Sequence, residues 1–385
     1  MRTFFSRNLF LLIPALLLVS CAGREQIEHK YPGRQGYHHI DFAEGFTMQK
    51  TDNGTVVTII NPWQGAEDIS HKYYLIRENG TIPTGTDPSR IIYVPVEKII
   101  CMSMTHLSMI KALNESQTVA AVSGAGFVYD PCLAGRINDG TVSDVGFEAG
   151  LNTELILRIN PGLVMMYGIG SESAGYTSKI QELGIPVMFN GDYLETHPLG
   201  KAEWIKLFGA LYCKEETADS IFLSVARSYN ETKTLIDGRI TKRPHVLLGL
   251  PYKDTWFVSP GNSYISRLIR DAGGDYLWED TSSSLSMPLG IEDVFIRSLT
   301  ADVWINTGNA ASKNEIASLD SRLEIIPCFR NGNLYNNINR ITPGGGNDYW
   351  ETGTLYPDII LKDIAAILHP DLFPEHELVY YKKIE

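Results

Sequence analysis

The stretch Lys214–Ile236, KEETADSIFLSVARSYNETKTLI, decides how the chain is organised. Its apolar positions Ala218, Ile221, Phe222, Val225, Ala226, Tyr229, Leu235 and Ile236 recur at three- and four-residue intervals with no internal Gly or Pro. That predicts one uninterrupted helix, about 35 Å long at 1.5 Å per residue. Alone it is an ordinary amphipathic helix. Its place in the chain is what matters, because short apolar strands alternate with amphipathic helices on both sides of it.

Upstream, VEKIICMSM reads as a strand running into the helix THLSMIKALN with Thr105 as N-cap, and TVAAVSG, NPGLVMMYGIG and GIPVMFNGDY repeat the strand pattern. Downstream the series resumes with HVLLGLP, ISRLIRDAGG, EDVFIRSL, ADVWINTG and IIPCF. Such alternation predicts an α/β fold with central, mostly parallel sheets. The expected organisation is an N-terminal lobe over 96–213, a linking helix over 214–238 and a C-terminal lobe over 239–385, with a ligand cleft between the lobes. Ligands of open α/β sheets sit at the carboxyl ends of strands, so the residues closing each strand are the first candidates for binding. Residues 42–95 have another texture: TVVTIINP follows the turn signal Asp52-Asn53-Gly54 and KYYLIREN precedes Gly80, which predicts a small β-rich segment ahead of the lobes.

The N-terminus carries Arg2 and Arg7, an apolar run from Leu9 to Val19, and Ser20 before Cys21. The run is shorter than the roughly 20 residues a bilayer demands, so residues 1–20 read as a secretory signal peptide. The tetrad Leu18-Val19-Ser20-Cys21 resembles the bacterial lipobox. That resemblance implies acylation of Cys21, anchoring to a membrane without a spanning helix, a tether over 21–41, and residence in the periplasm or cell envelope. Removing residues 1–20, which hold two Arg and no acid, moves the formal charge from −12 to −14. So acidic a chain excludes a nucleic-acid partner. Cys101, Cys132, Cys213 and Cys328 form no CxxC or Cys/His cluster of zinc type, and Cys101 reads as a small core residue.

Two α/β lobes on one helical spine resemble the helix-hinged (class III) periplasmic substrate-binding proteins of ABC importers, the iron-siderophore, haem and vitamin B12 group, over residues 96–370. In that family each lobe has a helix opened by a Glu and followed by a strand. Here GFEAGLNTE, ending at Glu154, precedes LILRINPGLVMMYG, and LGIED, containing Glu292, precedes VFIRSLTADVWINTG. The resemblance implies that Glu154 and Glu292 dock against Arg pockets on the permease dimer. Read as residues alone, a Glu in a first helical turn behind a cap such as Asn152 or Ser286 is favoured by the helix dipole. LETHPLGKAEW (194–204) and TLYPDIILKDIAAILHPDLFP (354–374) also look like envelope binding proteins of Bacteroidetes-type bacteria.

The expected cleft residues are Phe127, Tyr129, Tyr167, Trp256, Asn262, Tyr264 and Trp350, with Arg340 as the anion contact. Aromatic faces suit a large, partly apolar chelate, and a few polar groups fix its orientation. The expected ligand is an iron-siderophore, with a corrinoid or haem as alternatives; for haem, Tyr129, Tyr167 or Tyr264 is the candidate iron ligand. A bare metal ion would need three or four convergent His and carboxylate ligands, which the strand ends do not offer. An envelope hydrolase is disfavoured because no GxSxG occurs and His106, His197 and His369 form no HExxH. No catalytic residue, resident cofactor or metal-ligand set is expected. His106 reads as a helix-start residue near the cleft or a satisfied polar group, and the runs PGGGND and GIGSESAG read as mobile loops.

Overall fold

The structure, a computed structural model, describes residues 38–385 apart from 53, 79, 148–149 and 169–172, together with the side chains of 173, 174 and 176. The signal segment, Cys21 and most of GIGSESAG lie outside the described residues.

Four strands come first: β1 (Phe46–Thr51), β2 (Gly54–Ile60), β3 (Ser70–Arg77) and β4 (Ile91–Val94), in the order β1-β2-β3-β4. The first three pair antiparallel and β4 lies parallel to β3. In β2 the alternate residues Thr55, Val57 and Ile59 are buried, the two-residue period of a sheet with one face on a core.

The N-terminal lobe is built on β5 (Ile99–Cys101), β6 (Val119–Val122), β7 (Ser143–Asp144), β8 (Leu163–Met166) and β9 (Val187–Phe189), all parallel in the order β7-β6-β5-β8-β9. Every residue of β5, β8 and β9 is buried. Parallel sheets are covered on both faces, which is why these strands read as unbroken apolar runs.

The second lobe contains β10 (His245–Leu248), β11 (Pro251–Tyr252), β12 (Thr255–Val258), β13 (Asp275–Tyr276), β14 (Met287–Gly290), β15 (Val303–Ile305), β16 (Leu334–Asn336) and β17 (Lys382–Lys383). Its main sheet has the order β13-β10-β15-β16-β17, parallel except at β17, and β11-β12-β14 form a separate antiparallel sheet. Between the lobes runs the helix Glu215–Asp237, which buries Ala218, Phe222, Val225, Ala226, Tyr229 and Ile236. That face packs on helix Ile205–Leu211 from one lobe and helix Pro357–Leu368 from the other.

Three local expectations need correcting. Ser103, not Thr105, caps the first helix of the N-terminal lobe: its backbone is extended and its Oγ accepts the Thr105 N–H at 3.3 Å, so the helix begins at Met104. Helix Ile291–Ser298 opens at Gly290 without a side-chain cap, and Ser286 lies ahead of β14 instead. Most of IIPCF belongs to helix Pro327–Asn331. Pro327 starts that helix with its preset φ, and Gly332 at φ 69° ends it, so the strand β16 follows two residues later.

Candidate functional site

The loops closing the strands of both sheets meet between the lobes. At one end the hairpin 341–347 of the C-terminal lobe lies against the loop 124–127 that follows β6. A Cβ on Gly344 would stand 2.6 Å from the Gly126 carbonyl oxygen, and one on Gly346 would stand 2.7 Å from that of Phe127. Thr342 ties the hairpin together, its N–H donating to the Gly346 carbonyl at 2.7 Å and its Oγ1 accepting the Gly346 N–H at 2.9 Å. The glycine run is therefore a fitted seam between lobes, which corrects its reading as a mobile loop.

Beside that seam, Glu351 is buried and accepts the backbone N–H groups of Tyr129 at 2.7 Å and Asp130 at 3.1 Å. Burial, opposed by these two hydrogen bonds and reinforced by the nearby carboxylates of Asp130 and Asp348, raises its pKa to about 7. Arg340 donates from Nε to the Tyr129 hydroxyl at 3.3 Å. It also lies 3.1 Å from Asp348 Oδ2, an ion-pair distance at an angle that makes no hydrogen bond. The expected anion contact is thus already engaged by a carboxylate and a phenol.

At the other end of the interface the lobes stand apart, leaving a cleft of about 570 Å³. Tyr193 lines it from the N-terminal lobe, Asn262 and Tyr264 from the C-terminal lobe, and Asn61, Trp63 and Gln64 from the loop between β2 and β3. Its charged lining residues are Glu44 and Glu195; none of the described residues lining it is Lys or Arg. Lys201 from the N-terminal lobe sits 4.4 Å above the Tyr264 ring centre, and burial holds the Tyr264 phenol well above its ordinary pKa.

The expected cleft residues therefore divide. Asn262 and Tyr264 line the open cleft, while Tyr129 and Arg340 meet at the seam, where Phe127 is exposed beside Phe147 with ring centres 6.3 Å apart. Trp350 is exposed and stands edge-on to Tyr349, and Tyr167 is half-buried against the core. Trp256 is not a cleft residue. It is 0% exposed, stacks on Trp304 at 5.8 Å and donates its Nε1–H to the Leu248 carbonyl at 2.9 Å. Position beside a strand end in sequence misled here because β12 belongs to the separate antiparallel sheet. His106 is also corrected: it is fully buried beside Phe208, neither ring nitrogen has a hydrogen-bond partner among the described residues, and burial lowers its pKa to about 3.

The buried acids were missed, among them four that accept backbone N–H groups distant in sequence. Glu203 accepts the N–H groups of Asp41, Phe42 and Ala43 at 2.7–3.1 Å and pairs with Lys206 Nζ at 2.8 Å. Glu195 accepts those of Glu44 and Gly45 at 2.9 Å and the Trp204 indole N–H at 3.0 Å. Glu351 is the third. Asp363 accepts from Val379, Tyr380 and Tyr381. The available signal was an acid set among apolar residues, as in KAEW and LKDIA, where an unpaired charge would be costly.

Glu154 and Glu292 each stand in the first turn of a helix, with side chains 86% and 81% exposed. Each has an Arg near it: Arg158 at 3.3 Å from Glu154 and Arg322 at 3.4 Å from Glu292. The expected cap Asn152 does accept the Leu155 N–H at 3.0 Å. Among the described residues no three of His, Cys, Asp or Glu gather as a metal site, and no helix is long and apolar enough to cross a membrane.

A two-lobe α/β architecture with a cleft of mixed polar and apolar lining is one that can hold a solute between lobes. The family model described as "Periplasmic binding protein" matches residues 99–336, and the chain belongs to this family. It is 27% identical over 358 residues to an uncharacterized lipoprotein of Methanocaldococcus jannaschii, covering 86% of this chain and 82% of the relative. Its fold is similar to that of a periplasmic heme binding protein from Pseudomonas aeruginosa, with a TM-score of 0.57 at 13% identity over 75% of this chain and 98% of that one. It is also similar to a possible iron-binding (periplasmic solute-binding) protein from Staphylococcus epidermidis, with a TM-score of 0.56 at 14% identity over 71% and 99% of the two chains.

Proposed function

We propose that the protein is the substrate-binding lipoprotein of an ABC importer, of the helix-hinged class, and that it captures an iron-siderophore or related metal chelate. A corrinoid or haem is the alternative ligand. The observation that carries this reading is the interlobe cleft of about 570 Å³, lined by Tyr193 from the loop after β9 and by Asn262 and Tyr264 from the segment after β12. The cleft offers neutral donors and aromatic faces for a ligand. The signal segment and Cys21 give it a lipid anchor facing the periplasm, a reading supported by the lipoprotein relative. Residues 96–213 and 239–385 form the two lobes, linked by 214–238. Glu154 and Glu292 are the exposed acids that dock on the permease.

The test is tryptophan quenching or native mass spectrometry of the purified protein against a ferric siderophore, a corrinoid and haem in parallel. Stoichiometric binding of one, recovered chemically unchanged after long incubation, supports the reading. Failure to bind any of them, or steady release of a product, overturns it.

A further inference from the structure

The family match begins at residue 99, so the four-stranded sheet β1–β4 lies outside it. Yet the loop between β2 and β3 does not project away from the lobes. It lies over the ends of β8 and β9, where Trp63 packs edge-on to Phe189 at 5.5 Å between ring centres. A Cβ on Gly168 would stand 2.9 Å from Trp63 Cβ, so the glycine closing β8 is what admits the indole. The Gln64 N–H donates to the Tyr193 hydroxyl at 3.0 Å, and that hydroxyl donates in turn to the Gly168 carbonyl. Asn61, at φ 46°, turns the chain and accepts the Ile69 N–H at 3.2 Å. Trp63 is buried by this docking, whereas Gln64 remains exposed at the cleft rim, across from Asn262 and the serines at 283, 284 and 286.

Resting on the reading that the interlobe cleft receives a ligand, we propose that the N-terminal sheet supplies a third wall of the binding site, and that Gln64 contacts an uncharged, amide- or hydroxamate-bearing part of the ligand. Two lobes alone would leave the ends of β8 and β9 open to solvent. The loop closes that side and fixes the width of the cleft through Trp63. The chemistry of the wall follows from its lining: amides, hydroxyls, aromatic rings and the aliphatic Leu194 and Leu285, with Glu44 and Glu195 as the charged residues among those described. An anionic ligand surface would face like charge there, while carbonyl and N–H groups find partners.

The experiment compares the wild type with Gln64→Ala and Gln64→Trp, which alter an exposed side chain, using melting curves to check folding. The probes are a ferric trihydroxamate and cyanocobalamin, neither of net negative charge, against a ferric tris-catecholate and haem, both anionic. Expected are binding of one of the first two probes, a loss of about 2- to 10-fold for Gln64→Ala as for one hydrogen bond, and a loss greater than about 10-fold for Gln64→Trp through blockage. Hydrogen exchange at 60–66 should slow when that probe is added. Wild-type affinity in both variants, or binding restricted to the anionic probes, overturns the third wall while leaving the receptor reading standing. If the wild type binds none of the four, the receptor reading fails and this proposal fails with it.

Discussion

Glu351 accepts the backbone N–H of Tyr129 at 2.7 Å across 222 positions of sequence, joining the C-terminal lobe to the N-terminal one. The acid is 1% exposed, so its titration acts directly on the interface.

The pH dependence follows from its raised pKa. A carboxyl that holds its proton more tightly in the folded state, at about 7 against 4.5, makes folding less favourable as pH rises between those values. Above about 7 the effect is constant, and it amounts to about 3 kcal/mol at about 1.4 kcal/mol per pKa unit. Glu351→Gln cannot ionise and should flatten this slope. Melting temperatures of both proteins from pH 4.5 to 8 decide it; a wild type that gains stability across that window relative to Glu351→Gln rules the assignment out.

Replacing both Glu154 and Glu292 by Ala should abolish uptake in cells while ligand affinity stays at the wild-type level. Each acid is almost wholly exposed, and a first-turn carboxylate contributes only about 0.3–1 kcal/mol to its helix. Charge reversal to Lys should be worse than Ala, because it adds repulsion against a basic pocket. Normal uptake by the double Ala variant would show that these acids serve their helices and nothing else.

Glu203→Ala should be far more damaging than either. It strips the nearer carboxylate from Lys206, which is 8% exposed and keeps the His39 carbonyl at 2.7 Å and Asp219 at 4.0 Å, and it orphans the N–H groups of Asp41, Phe42 and Ala43. Removing one member of a buried pair costs about 3–5 kcal/mol. Denaturant unfolding measures the loss, and proteolysis should cut between residues 38 and 95 well before the lobes. A loss under about 1 kcal/mol would contradict this account.

Cys21→Ser should release the protein from membranes or leave its signal uncleaved. Fractionation followed by mass measurement of the N-terminus reads either result. A variant as firmly membrane-bound as the wild type and correctly processed would remove the anchor assignment.

Periodicity made the architecture legible. The helix Glu215–Asp237 differs by one residue at each end from the span whose apolar positions announced it, and the buried strands β5, β8 and β9 announced themselves as unbroken apolar runs. Long-range partners were not legible. Whether Trp256 faces a cleft or a core depends on which sheet β12 joins, and sequence cannot say that β14, some thirty residues on, will be its neighbour. Glu195 and Glu351 resemble surface acids until the distant N–H groups that solvate them are known. The role of Gly344 and Gly346 was equally hidden, since what demands a glycine there is the carbonyl of another lobe.

The buried acids also set an order of assembly. Asp41 meets Glu203 over 162 positions, Gly45 meets Glu195 over 150, and Tyr129 meets Glu351 over 222. A chain emerging N-terminus first offers these amides long before the carboxylates that receive them. The first sheet must wait for the end of the first lobe, and the first lobe for nearly the whole of the second. Contacts so distant close slowly, because the entropy of the intervening loop is lost before any bond repays it. The interface between the lobes therefore reaches its final state only after Glu351 has arrived, and truncation before Glu351 should leave the Tyr129 and Asp130 amides without their carboxylate.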